Sequence, residues 1–288
     1  MSTSTLSTET GRVVPPGKPG HRSARSVNAL GRGSGLALGI SLVWFSLLVL
    51  IPLAAVVVKS TTGGWSGFTD TLTNDQTMAA LRLTIGQSLL VTMVNVVMGT
   101  MIAWVLVRDR FPGAAILDVI IDLPFALPTI VAGLVLLSLY GPKSPLGVNV
   151  ASTRTAVFVA LAFVTLPFIV RTVQPVLEEL EPDVEEAASS LGASGFTTFR
   201  RVILPSLVPA IAAGAALSFA RAISEYGSLV LITGNLPNRT EVASVRIVGF
   251  IEGNNTAGAA VIATVLLVSA LAVIVALDLI QRRVARRW

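Results

Sequence analysis

The chain of 288 residues is 53% hydrophobic and only 13% charged, with a mean hydropathy of +0.77. A water-soluble protein of this length needs a charged shell that this composition does not supply, so the chain is expected in a bilayer. The absence of cysteine excludes disulfides and zinc–thiolate sites. The net charge of +5 does not point to nucleic acid, because the basic residues gather in the tails and in short loops beside apolar runs.

Residues 1–33 are rich in Ser, Thr, Gly, Pro and Arg, too poor in apolar surface to offset the entropy of ordering, and are expected to form a disordered cytoplasmic tail. The first apolar run begins near Leu36 and exceeds the roughly 7–15 residues of a signal-peptide core, so it is expected to stay as an anchor. About 20 apolar residues cross the hydrocarbon core as a helix. Six segments reach or approach that length, near 36–58, 83–107, 115–140, 155–174, 206–234 and 257–280, which predicts an all-α membrane domain of six transmembrane helices over 34–288. Pro52, Gly99, Pro124, Pro128, Gly133 and Pro167 are expected to kink these helices, with neighbours satisfying the freed backbone groups.

Six spans put both termini on one side. With the N-terminus inside, fourteen Lys and Arg residues fall on the inner side, Arg108, Arg171, Arg200 and Arg282 among them, whereas the opposite loops hold Lys59, Lys143, Arg154, Arg239 and Arg246. The excess of basic residues favours cytoplasmic termini. Trp65 and Phe68 in the first outer loop fit either a membrane interface or local packing.

The loop between the fourth and fifth spans, residues 177–205, has helical periodicity. Apolar residues at 177, 180, 184, 188 and 191 recur at spacings of three and four, Pro182 suits a first turn, and Gly192 suits a left-handed stop. Phe196, Phe199, Val202 and Ile203 then mark a second short helix that leads into span five. Two short helices with one apolar stripe fit a knob for a partner's groove or a hairpin lying on the membrane surface, and periodicity does not separate the two.

The residues themselves do. Glu186-Ala187-Ala188, Gly192, and Val202 followed by Leu204-Pro205 resemble the signature loop of ABC-importer membrane subunits, with Val202 where isoleucine is usual. The resemblance implies a coupling helix that seats in a groove of a separate nucleotide-binding subunit: small Ala187 and Ala188 permit close approach, Glu186 meets polar groups, and Gly192 reverses the chain.

No phosphate-binding motif accompanies that loop. Gly141-Pro142-Lys143-Ser144 lacks the leading glycine, the Gly31, Gly33 and Gly35 pattern has no preceding strand, and the single histidine, His21, lies in the tail. No catalytic or metal-binding constellation can be assembled, so the chain is expected not to be an enzyme and to bind no cofactor, with ATP and magnesium on the partner. Two charge pairs lie within spans, where each ionised group costs on the order of 3 kcal/mol. Asp118 and Asp122 in span three, and Arg221 and Glu225 in span five, are each four apart and therefore on one helix face. The Asp pair is expected to be structural. The second pair fits either a self-neutralising structural role or a gate.

Beyond the loop, residues 36–280 resemble T-type permease subunits of the sulfate/thiosulfate importers, through Asp122-Leu123-Pro124-Phe125-Ala126-Leu127-Pro128-Thr129-Ile130-Val131-Ala132-Gly133 and Ala220-Arg221-Ala222-Ile223-Ser224-Glu225-Tyr226-Gly227-Ser228. The resemblance implies a type I (MetI-like) permease fold in a bacterial inner membrane. It also implies a dimer of ATPase subunits, a second, W-type permease chain and an external sulfate-binding protein. Arg221, Ser224, Glu225 and Ser228 are the candidate pathway residues. Permeases for molybdate or another oxyanion share much of this pattern. A secondary anion transporter would require an internal repeat, and it leaves the cytoplasmic loop unexplained.

Overall fold

The computed structural model describes residues 32–180, 186–188 and 190–285, and all regular structure among them is helical. Residues 1–31 of the expected tail and 181–185 of the expected loop, Pro182 included, lie outside the described residues. The chain divides into two units, Met1–Ile51 and Pro52–Trp288. The first contains helix α1 (Arg32–Phe45) and a π-helical turn (Ser46–Leu50), whose apolar side chains, among them Leu42, Val43 and Trp44, are exposed as lipid-facing residues are.

The second unit begins within α2 (Ile51–Ser60), at Pro52, and continues into α3 (Gly64–Thr73), on which Trp65 and Phe68 stack with ring centroids 5.5 Å apart. Asn74 then caps α4 (Asp75–Arg108), its side-chain oxygen accepting from the backbone N–H groups of Gln76 and Thr77 at 3.1 Å. At 34 residues α4 is about 51 Å long, well beyond the ~30 Å hydrocarbon core, so its first turns project from the apolar layer. Its buried stripe is Ala80, Thr84, Ser88, Val91, Asn95, Gly99 and Ala103, mostly small or polar, which lets helices approach closely without a hydrophobic drive. A Cβ on Gly99 would lie 2.8 Å from Ile169 of α7 (Arg154–Glu179), and Asn95 Nδ2 donates to Thr165 Oγ1 of the same helix at 3.0 Å.

Helix α7 is the centre of the unit, packed on α4 and on α9 (Leu204–Ile223). Around its first half Val91, Leu136, Ala156, Val157, Leu161 and Ile232 form one apolar cluster. Around its second half Ile121, Ile169, Val173, Leu177, Ile203 and Leu207 form another. The remaining elements are α8 (Gly195–Thr198), α10 (Gly227–Ile232), α11 (Ala243–Glu252) and α12 (Thr256–Ala285).

Among the described residues five helical stretches are long and apolar enough to cross a bilayer: Ser34–Ser60, Asp75–Arg108, Arg154–Glu179, Gly195–Ile223 and Thr256–Arg283. The third expected span differs from the straight crossing read over 115–140. It is α5 (Ala114–Ala126) followed by α6 (Thr129–Tyr140), with a bend of 117° between them. Pro128 forces Leu127 into an extended conformation (φ −85°, ψ 134°), which ends α5. Because Ile121 of α5 joins the cluster at the end of α7 and Leu136 of α6 joins the cluster at its start, the bent pair packs against both halves of α7, and its two helices together are the sixth candidate span.

Two further bounds are corrected. The fourth span continues to Glu179, so Leu177 is a fully buried residue of α7 and not of the loop's amphipathic helix. The fifth span ends at Ile223 instead of running to 234.

Candidate functional site

The loop after α7 is held at both ends. Arg108, at the end of α4, donates through Nη2 to the carbonyl of Leu180 at 3.1 Å and fixes the chain's exit from α7. On the return, Ile203 is buried in the cluster around Leu177 and Leu207, and Phe199 meets Trp104 of α4 edge-on at 5.7 Å. A π-helical turn, Phe199–Ile203, joins α8 to α9 in one continuous helical stretch, and Pro205, which has no N–H to donate, follows directly after that wide turn.

Between these anchors lies a helical turn at Glu186–Ala188 and Ser190. Leu191 N–H donates to the Ala187 carbonyl at 3.1 Å and Ala193 N–H reaches the Ala188 carbonyl at 3.1 Å, while Gly192 takes φ +81°. This six-to-one closure over a left-handed glycine is the Schellman stop expected of Gly192. Ser194 starts the next turn, its hydroxyl accepting from Thr197 N–H. Glu186 and Ala187 are exposed, Leu191 is 89% exposed and Phe196 is 73% exposed, so the turn carries bare apolar side chains on a rigidly rooted frame. Val202, the residue matched to the signature, is half-buried, and its neighbour Ile203 supplies the buried anchor.

The second candidate region is the break after α9. Glu225 lies beyond the helix end, yet its Oε2 is 2.6 Å from Nη1 of Arg221, and its Oε1 accepts from the backbone N–H and the hydroxyl of Ser228 at 2.8 and 2.9 Å. Its own carbonyl accepts from Ser244 Oγ of α11 at 2.7 Å. Glu225 is only 2% exposed, and a carboxylate so deeply buried costs several kcal/mol unless it is paired and hydrogen-bonded, as this one is. Of the four candidate pathway residues, Arg221 and Ser224 keep exposed surface, while Glu225 and Ser228 are buried and committed to each other.

The break exists because α10 packs on α6 backbone to backbone. A Cβ on Gly227 would collide with Thr129 Oγ1 and lie 2.9 Å from Ile130 N, and one on Gly133 would lie 2.6 Å from the Ser228 carbonyl. Glycine at both positions is what permits the approach.

The Asp pair finds a partner that periodicity did not identify. Both carboxylates of α5 converge on Arg171, whose Nε and Nη2 bind Asp122 at 2.8 and 2.7 Å and whose Nη1 binds Asp118 at 2.7 Å. Nη1 also reaches Gln174 Oε1, and Nη2 the Asp118 carbonyl, so all five guanidinium N–H groups are used. The only sequence signal was the presence of a third intramembrane charge, Arg171, of opposite sign.

This architecture has counterparts. Residues 95–288 match the family model described as binding-protein-dependent transport system inner membrane component. The chain is 42% identical over 262 residues to the sulfate transport system permease protein CysT of Salmonella typhimurium, covering 88% of this chain and 95% of the relative. It is 46% identical over 250 residues to the CysT of Synechocystis, covering 84% and 87%. Among solved structures, a bacterial ABC transporter that imports alginate superposes with a TM-score of 0.71 at 17% identity, over 86% of this chain and 94% of that one. The inward-facing MetNI methionine ABC transporter gives 0.53 at 21%, over 72% and 97%. The chain belongs to the family of binding-protein-dependent transport system inner membrane components.

Proposed function

We propose that the chain is the transmembrane subunit of an ATP-driven importer of sulfate or thiosulfate. The observation that carries this reading is the rooted turn at 186–196, which presents Leu191 and Phe196 bare at one end of the bundle. Exposed apolar side chains on a rigid frame are what a partner's groove needs, and a partner that pulls on them moves α7 and α9 through Arg108, Phe199 and Ile203. The partner is a pair of ATPase subunits, which hold the ATP and magnesium.

In this reading both termini face the cytoplasm of a bacterium, and a second permease chain of the W type completes the pathway. An external sulfate-binding protein delivers the cargo. Nucleotide binding and hydrolysis bias a rigid-body switch between outward-open and inward-open arrangements. Glu186, Ala187, Ala188 and Gly192 form the contact, and Leu204 and Pro205 pass the displacement to α9. Arg221 and Ser224 line the path, with Glu225 and Ser228 holding the break between α9 and α10 in shape. The identity to sulfate permease proteins over most of the chain supports the choice of cargo.

The test is radiolabelled sulfate uptake into vesicles containing the chain with its co-purified ATPase, second permease and receptor. Uptake should require ATP hydrolysis and resist excess molybdate. Uptake driven by a proton gradient without ATP would sink the reading in favour of a secondary transporter.

A further inference from the structure

At the end of the bundle remote from that turn, two cavities of about 380 Å³ each share Arg154 as a wall. The first is also lined by Arg82, Gly86 and Gln87 of α4, the second by Arg239 and Thr240. No Asp or Glu lines either one. Among the described residues Arg171, Arg221 and Arg282 each have a carboxylate within 2.7 Å. Arg82, Arg154 and Arg239 have none, and the one hydrogen bond among them is a loose 3.4 Å contact from Arg154 Nε to the Arg239 carbonyl.

Three guanidiniums gathered without counter-charge repel one another, by about 1 kcal/mol per pair at 4 Å even in water. They also lie at the end where the bias of basic residues towards the other side leaves fewest. The lining has room: Gly86 adds no side chain, and each volume exceeds several times the ~30 Å³ share of one water. Gln87 contributes an amide whose Oε1 is buried without a hydrogen-bond partner, so no contact fixes which end of the amide faces inward. Arg82 lies in the third turn of α4, in the part that projects beyond the apolar layer, so the cavity is reachable from water.

We propose that Arg82, Gln87, Arg154 and Arg239 form a reception site for a small tetrahedral oxyanion at the mouth of the bundle, separate from the Arg221 region. Guanidinium forks match the paired oxygens of such an ion, and exposed, hydrated arginines hold it weakly enough to release it inward. The choice of sulfate as probe rests on the proposed function, whereas the binding itself does not.

The experiment is equilibrium binding of radiolabelled inorganic sulfate to the full chain in phosphatidylcholine nanodiscs, without ATP or partners. Saturable binding is expected, competed by thiosulfate and not by chloride at equal ionic strength. Arg82→Gln and Arg154→Gln should each weaken it about tenfold, the scale of one lost charge-assisted contact. Arg110→Gln, at the opposite end, should leave it unchanged, and Arg154→Lys should be intermediate. Each variant must elute as wild type does in gel filtration, which removes misfolding as an explanation. The proposal is overturned if the wild type shows no saturable binding at millimolar sulfate, if the Arg82→Gln/Arg154→Gln variant binds like wild type, or if chloride competes equally. It also fails if phosphatidylglycerol in the nanodisc abolishes binding, since the occupant is then a lipid headgroup phosphate. A chain that binds sulfate here yet supports no ATP-dependent uptake sinks the importer reading alone.

Discussion

Arg171 grips Asp122 with two parallel bonds, Nε to Oδ1 at 2.8 Å and Nη2 to Oδ2 at 2.7 Å, and so ties the first half of the broken span to α7. Asp118 closes the clamp from one turn earlier, at 2.7 Å from Nη1. Without the guanidinium, two carboxylates four residues apart would face each other on one helix.

Replacing Arg171 should therefore loosen α5 from α7. Arg171→Gln is expected to destabilise the purified protein by about 1–2 kcal/mol, a figure kept below that for a fully buried pair because neither carboxylate is buried. Adding Asp122→Asn should recover part of the loss. Thermal unfolding in detergent of the two single variants and the double variant measures the coupling, and strict additivity would show that the clamp is energetically silent.

Gly192 separates conformation from space. A Cβ there meets nothing within 4 Å, so bulk alone is tolerated, but φ +81° costs a β-branched residue about 1–2 kcal/mol or more. Gly192→Val should insert normally and lose ATP-coupled sulfate uptake, whereas Gly192→Asn, which accepts the left-handed region, should retain most of it. Equal uptake by both variants at equal membrane levels would rule out the reversal as the element that couples.

The exposed pair makes the complementary case. Leu191→Ser with Phe196→Ser removes apolar surface that touches water in the isolated chain, so stability should stay within about 0.5 kcal/mol. Co-purification of the ATPase subunit should fall sharply. Undiminished recovery of the ATPase would place the partner contact elsewhere.

Gly227→Ala tests the packing of α10 on α6. The added methyl meets Thr129 Oγ1 and the Ile130 backbone, and the backbone cannot move without shifting α6, so a loss of about 1–3 kcal/mol is expected. The same change at Gly86, where a Cβ meets nothing within 4 Å, should be nearly neutral and serves as the control in thermal unfolding.

Much of this molecule was legible in the linear chain. Apolar runs of bilayer length located the five unbroken spans, because the cost of placing polar residues in hydrocarbon leaves no other pattern. The glycine stop at 192 followed from backbone sterics alone. Proline was the less readable signal. Pro124, Pro167, Pro175 and Pro209 remain inside helices, while the bend falls at Pro128, where the two halves pack against opposite ends of α7.

Composition and periodicity by themselves determined that the chain is helical and built for a membrane, where its unbroken crossings lie and where Gly192 stops a helix, for these depend on transfer free energy and local φ and ψ. Only the tertiary structure decided which charges meet. Arg171 finds carboxylates 49 and 53 residues away, Glu225 serves as cap and ion-pair partner at once, and Arg82, Arg154 and Arg239 line two cavities with no carboxylate in their walls. Coulomb attraction, repulsion and burial depend on distances in space, and those are set by how the helices cross.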